Sequence, residues 1–131
     1  MSYLLDTNIC IALLKGSEKS LIKKFQQSEP SLFFLCSVVK GELYYGAHKS
    51  ERVSQNILVL ENFFEQFRSL AFDDAASEFY GITRALLTKA GTPIGGNDLI
   101  IASIAQTNQL TLLTRKVREF VRVPGLKCEA W

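Results

Sequence analysis

The opening run YLLDTNICIALLKG, residues 3–16, decides how the chain begins to fold. Tyr3, Leu4 and Leu5 form an apolar triplet that predicts a short buried strand ending at Asp6. The ICIALLKG beyond it spaces its apolar side chains as a helix does and stops at Gly16. Strand, turn and helix thus succeed one another within a few residues.

The same order recurs further along. A helix is expected across SLIKKFQQ (20–27), then a buried strand at SLFFLC (31–36), with Ser37 placed to cap a helix through VVKGELYYGAHKS (38–50). Val53, Ile57, Leu60, Phe64 and Phe67 predict one long amphipathic helix from Arg52 to Phe67, and SLAF (69–72) a short strand. Asp73 or Asp74 begins a helix reaching about Ala90, with Phe79, Ile82, Leu86 and Leu87 turned inward. Gly91, Pro93, Gly95 and Gly96 form a turn, Asp98 to Gln106 a helix, and LTLLT (110–114) a buried strand ending at Thr114. Repeated strand-then-helix order implies an α/β fold with a short, mainly parallel central sheet covered on both faces. A length of 131 residues holds one such domain, spanning 1–131.

A composition 47% hydrophobic and 21% charged excludes a disordered chain. The net charge of +2 neither requires nor excludes a polyanion, but Arg115, Lys116, Arg118, Arg122 and Lys127 cluster in one segment against the single acid Glu119. Such a segment is a solvated charged edge or, beside a catalytic cleft, an attractor of phosphates. Cys10, Cys36 and Cys128 are widely separated, contain no CxxC pair and have only His48 to assist them, which argues against zinc. Cys10 and Cys36 read as small core residues in a reducing, cytoplasmic setting. The N-terminal apolar run is broken by Asp6 and Asn8, so neither a targeting segment nor a membrane span is expected.

In an open parallel sheet, ligands bind outside the carboxyl ends of the strands. Asp6 and Thr114 both come directly after strands, and therefore face that edge. Glu42 and Asp98 lie near the starts of covering helices and can converge on it. Taken alone, Asp98 reads as a helix cap and Glu42 as a glutamate on an exposed helical stripe. Together, carboxylates so gathered repel one another unless a cation neutralises them, and hard oxygen ligands suit Mg²⁺ or Mn²⁺.

LLDTNICIALLKG, the glutamate of VVKGELYYGAHKS, the IGGNDLIIA turn and LLTRKVREFVRVPGLKCEAW occur in an order and at separations that resemble the PIN-domain ribonucleases, and among them the VapC toxins of bacterial toxin–antitoxin pairs. The resemblance covers nearly the whole chain. It implies a PIN-like three-layer α/β/α domain in which Asp6, Glu42 and Asp98 are the metal-binding acids, Thr7 and Asn8 their polar companions, and Thr114 the threonine of the last motif. Many relatives place Asn or Asp two residues after that threonine, where this chain has Lys116. The resemblance then makes Glu119 the fourth ligand, against the reading of an exposed glutamate among arginines. It further implies a homodimer, a structured RNA substrate such as a tRNA, cleavage at a phosphodiester, and inhibition by a small VapB-like antitoxin that covers the acidic cleft. Arg115, Lys116, Arg118 and Arg122 are candidate RNA contacts.

Two other functions fit parts of the pattern. A strand leading into Asp, Thr and Asn could open a phosphohydrolase with Asp6 as nucleophile, although that chemistry typically wants a second acid where Asn8 stands. A catalytically silent module could keep the fold and meet RNA or protein through its basic segment.

Overall fold

The computed structural model describes residues 1–131. In chain order the elements are β1 (Tyr3–Leu5), α1 (Thr7–Lys15), α2 (Lys19–Gln26), a 3-10 turn at Pro30–Leu32, β2 (Phe33–Cys36), α3 (Ser37–His48), α4 (Val53–Phe64), β3 (Arg68–Leu70), α5 (Asp74–Ala90), α6 (Gly96–Thr107), β4 (Thr111–Leu113), α7 (Val117–Phe120) and β5 (Cys128–Glu129). The five strands form one sheet in the order β3-β2-β1-β4-β5, and every pairing is parallel.

This order sets the position of the site. From the central β1 the chain adds β2 and β3 on one side, then returns across the sheet to place β4 on the other. The topological switch point therefore lies between β1 and β4, where Leu5 pairs with Leu113. Asp6 and Thr114 leave the sheet side by side at that point. Right-handed crossovers put the helices of the outward connections on one face and those of the return on the other. Leu4, Leu5, Leu35, Leu112 and Leu113 are fully buried between them.

Local chemistry explains the element ends. The Asp6 side chain caps α1 by accepting from the Thr7 amide at 2.9 Å, and Gly16 closes that helix in the left-handed conformation at φ 67°. Asp73 caps α5 through the Ala76 amide. Two expected caps are absent. Ser37 opens α3 without capping it, its hydroxyl donating to the Leu70 carbonyl instead, and α6 begins at Gly96, so Asp98 lies inside its first turn and makes no cap bond.

Other differences arise from packing. The helix expected up to Phe67 ends at Phe64, and β3 starts at Arg68 rather than Ser69, because Phe67 turns into an aromatic cluster with Phe25 and Phe63. In α5 only Leu87 of the four expected inward residues is buried. Ala76, Thr83 and Leu87 form the covered face, while Phe79, Ile82 and Leu86 are 41%, 65% and 50% exposed. The basic segment contains α7 and leads to the edge strand β5, neither of which its sequence announces. All three cysteines are free, with Cys10 and Cys36 in the core as expected. No helix is long and apolar enough to cross a membrane.

Candidate active site

Asp6 is the centre of the polar edge. Its side chain is 2% exposed, yet both oxygens are partnered: Oδ1 by the Thr7 amide, Oδ2 by the Thr114 hydroxyl at 2.7 Å. Burial pushes the Asp6 carboxyl above its ordinary pKa; the bonds from Thr114 and Thr7 oppose this, and the charge of Asp98 adds to it. Thr114, itself fully buried, also accepts from the Lys116 amide at 2.9 Å. One threonine thus fixes the central acid and the start of the basic segment.

The other expected residues converge on this edge to different degrees. Glu42, on the second turn of α3, accepts from the Thr7 hydroxyl at 3.0 Å, which ties α3 to the end of β1. Asn8 is exposed beside Thr7 and shares a groove with Glu42. Asp98, in the first turn of α6, meets the Lys116 ammonium at 3.2 Å from Oδ2 and 3.4 Å from Oδ1. Burial lowers the pKa of Lys116, but the bond and charge of Asp98, with Asp6 and Glu119, outweigh it and leave the ammonium harder to deprotonate than usual. Glu119 on α7 is half-buried, within electrostatic reach of Lys116, and forms no ion pair with an arginine.

The remaining basic residues are less aligned with the site. Arg115 pairs with Glu18, and Arg122 donates to the Pro93 carbonyl. Arg118, on α7, is exposed and forms no ion pair. His48 is solvent-facing. Sequence reasoning missed Asn97, which lines the groove beside Thr7, Asn8 and Glu42; its only signal was its place next to Asp98.

No three His, Cys, Asp or Glu side chains are gathered closely enough to enclose a metal ion. The donor set nevertheless fits a hard cation. Mg²⁺ is commonly held by one or two carboxylates and several waters, and Asp6 and Asp98 supply two mutually repelling ones. Lys116 shows that this edge already accepts a positive charge against Asp98. A phosphohydrolase nucleophile is poorly served by contrast, since both Asp6 oxygens are engaged and the side chain is buried.

Beside Glu42, a largely apolar groove of about 380 Å³ runs between α1, α3 and α4, lined in part by Ile11, Leu14, Leu43, Val59 and Leu60. It adjoins a second groove, lined by Asn8 and Asn97 among others, with which it shares Ile11, Glu42 and Gly46.

The PIN domain family matches residues 3–126 of the chain. The chain is 37% identical over 131 residues to a tRNA(fMet)-specific endonuclease VapC of Shigella flexneri, covering 100% of this chain and 98% of that protein. It is equally similar, at 37% over the same span, to a ribonuclease VapC2 of Haemophilus influenzae, again covering 100% and 98%. Among solved structures, the DNA-bound VapBC of Salmonella typhimurium superposes with a TM-score of 0.93 at 35% identity, covering 100% of this chain and 98% of that one. VapBC2 of Rickettsia felis, bound to a DNA fragment from its promoter, does so at 0.89 and 34%, covering 100% and 99%. With the buried aspartate at the switch point, the family match over almost its whole length and full-length relatives of this kind, the chain belongs to the PIN domain family, among the VapC ribonucleases.

Proposed function

We propose that this protein is a Mg²⁺- or Mn²⁺-dependent endoribonuclease toxin that cuts structured RNA and is neutralised by a cognate VapB-like antitoxin. The observation that carries the reading is the buried Asp6 at the switch point, anchored by Thr114 and facing Asp98. Asp6 and Asp98 would hold the ion, with Glu42 and Glu119 contributing directly or through water. When bound, a divalent ion polarises the scissile phosphate and lowers the pKa of water.

The chain's own groups do the rest. Thr114 and the Thr7 amide hold the Asp6 carboxylate in one orientation. Thr7 holds Glu42 toward the same edge, where its free oxygen can accept a proton from an attacking water. Lys116 neutralises part of the acidic charge and is placed to meet a phosphate oxygen arriving at Asp98. Arg118, with Arg115 and Arg122 when their surface contacts yield, extends the attraction along the RNA backbone.

Two surfaces suit protein partners. The apolar groove that includes Glu42 in its lining fits the apolar face of an antitoxin segment, which would block the acids by occupying it. The exposed Phe79, Ile82 and Leu86 on α5 suit a second copy of the chain in a homodimer. A tRNA is the first structured RNA to test, because the Shigella flexneri relative is named for one.

The test is cleavage of total cellular RNA by the purified protein with Mg²⁺, Mn²⁺ or EDTA, alongside Asp6→Asn, Glu42→Gln and Asp98→Asn. Cleavage that needs a divalent ion and drops on the order of a hundredfold or more in each variant is expected. Wild-type turnover in any of the three would remove that residue from the metal site. RNA binding without cleavage under every condition would favour the silent module, whose one structural support is the Lys116–Asp98 pair.

A further inference from the structure

The groove beside the acids offers, beyond Glu42, a surface that metal binding does not use. It encloses about 790 Å³ and is lined by Thr7, Asn8, Glu42, Tyr45, Lys49 and Asn97, among others. Tyr45 is 67% exposed, so its ring is open to a ligand. It lies three residues beyond Glu42 on α3 and therefore on the same face, one turn further from the metal edge. Lys49 comes four residues later, with its ammonium 4.9 Å from the Tyr45 ring centroid. Gly41 and Gly46 also line this groove, and a Cβ built at either would meet no atom within 4 Å. Their lack of a side chain keeps the floor of the groove open around the ring.

We infer that this groove is a subsite for one unpaired nucleotide next to the scissile phosphate, with Tyr45 as the surface on which its base stacks. The inference rests on the ribonuclease reading and adds to it a binding position and a preference for locally single-stranded RNA. Each component matches a part of a nucleotide. An exposed aromatic ring stacks on any base, the Asn8 and Asn97 amides offer both donors and acceptors to a base edge, and the Lys49 ammonium meets a phosphate. Glu42 and Thr7 at the inner end join the subsite to the reacting phosphate. The neighbouring groove shares Ile11, Glu42 and Gly46 with this one and adds Leu14, Leu43, Val59 and Leu60, and its more apolar lining favours a protein segment.

The experiment measures binding of fluorescein-labelled A, C, G and U hexanucleotides to the full chain in EDTA, where cleavage is silent, for wild type, Tyr45→Phe, Tyr45→Ala and Lys49→Ala. Tyr45→Ala should bind about 5- to 150-fold more weakly, the loss of one base stack, and Tyr45→Phe close to wild type. Lys49→Ala should shallow the salt dependence by about 0.7. Tyr45 is on the surface, and circular dichroism verifies the fold of each variant. Tyr45→Ala binding as tightly as wild type, and cutting total RNA at the same positions and rate, would overturn the subsite while leaving the ribonuclease reading intact. Failure of the wild type to bind or cut any RNA would instead overturn the reading beneath it. Loss of antitoxin binding in Tyr45→Ala with RNA binding unchanged would assign the groove to protein and likewise overturn the proposal.

Discussion

Replacing Lys116 by Asn tests how the acidic edge is balanced. The ammonium lies 3.2 Å from Asp98 Oδ2. An ion ligated by the same carboxylate at roughly 2.1 Å would sit within about 5 Å of that ammonium. Between a single and a double positive charge at this separation, bulk-water screening leaves about 1.7 kcal/mol of repulsion, and an effective dielectric of about 20 leaves between about 6 and 7 kcal/mol. The Lys116 side chain is 38% exposed and can swing toward solvent, so the weaker figure applies. Lys116→Asn should therefore tighten Mn²⁺ binding on the order of tenfold in the absence of RNA. Fold stability should change by less than about 1 kcal/mol, because a partly exposed ion pair contributes little. RNA should move the other way, binding more weakly in EDTA with a salt slope shallower by about 0.7. Calorimetric titration with Mn²⁺ and anisotropy titration with labelled RNA at several salt concentrations separate the two effects. An unchanged Mn²⁺ midpoint together with an unchanged salt slope would refute the reasoning, because Lys116 would then neither oppose the ion nor meet the phosphate.

Asp6→Asn should flatten the pH dependence of stability in the metal-free protein. Burial raises the folded-state pKa of Asp6, so the folded chain holds this proton more tightly than the unfolded one. The stability it contributes is present below the unfolded value and is lost as pH rises through the folded value. Urea unfolding at about pH 4.5 and about pH 7 measures this, and an identical difference in Asp6→Asn would place the titration elsewhere. Thr114→Val removes the donor to Asp6 and the acceptor for the Lys116 amide, and should cost roughly 1.5–3 kcal/mol; a loss below about 0.5 kcal/mol would mean that another donor replaces the hydroxyl. Burial pushes the Cys36 thiol up to about 11 and that of Cys10 further still, so iodoacetamide at neutral pH should modify neither in the native protein, as mass spectrometry of digested protein would read. Ile82→Glu should shift the chain toward monomer in analytical ultracentrifugation, and an unchanged sedimentation profile would remove α5 from the proposed dimer contact.

The residues at the strand ends were the most legible part of the site because a short parallel strand dictates where its next residue emerges. Once Tyr3–Leu5 and Thr111–Leu113 are buried and parallel, the chain must leave both at one edge, and Asp6 and Thr114 do so within hydrogen-bond distance. The Lys116–Asp98 pair carries no such signature. It depends on how the chain turns between β4 and α7 and on where α6 begins, both set by backbone contacts outside any repeating pattern. β5 was illegible for a related reason: two residues have no periodicity, and their pairing with Leu112 and Leu113 is made by the sheet edge that receives them.

The misreading of α5 has a different origin. Two stripes on that helix satisfy helical spacing: Ala76, Thr83 and Leu87, and Phe79, Ile82 and Leu86. Hydrophobicity alone selects the second, yet the fold buries the first. α5 packs chiefly on α6, whose own buried residues include Ala102, Ser103 and Ala105, and two helices with small side chains between them can approach closely. The larger residues are left on the outside, where fully burying each is worth about 1.5–3 kcal/mol. A single copy of the chain does not collect that energy. The same choice of stripe that makes a tight α5–α6 contact leaves a row of three large apolar side chains facing outward. Periodicity registers the spacing of apolar residues and not which face of the helix its neighbour covers, so it chose a stripe that the fold leaves outside.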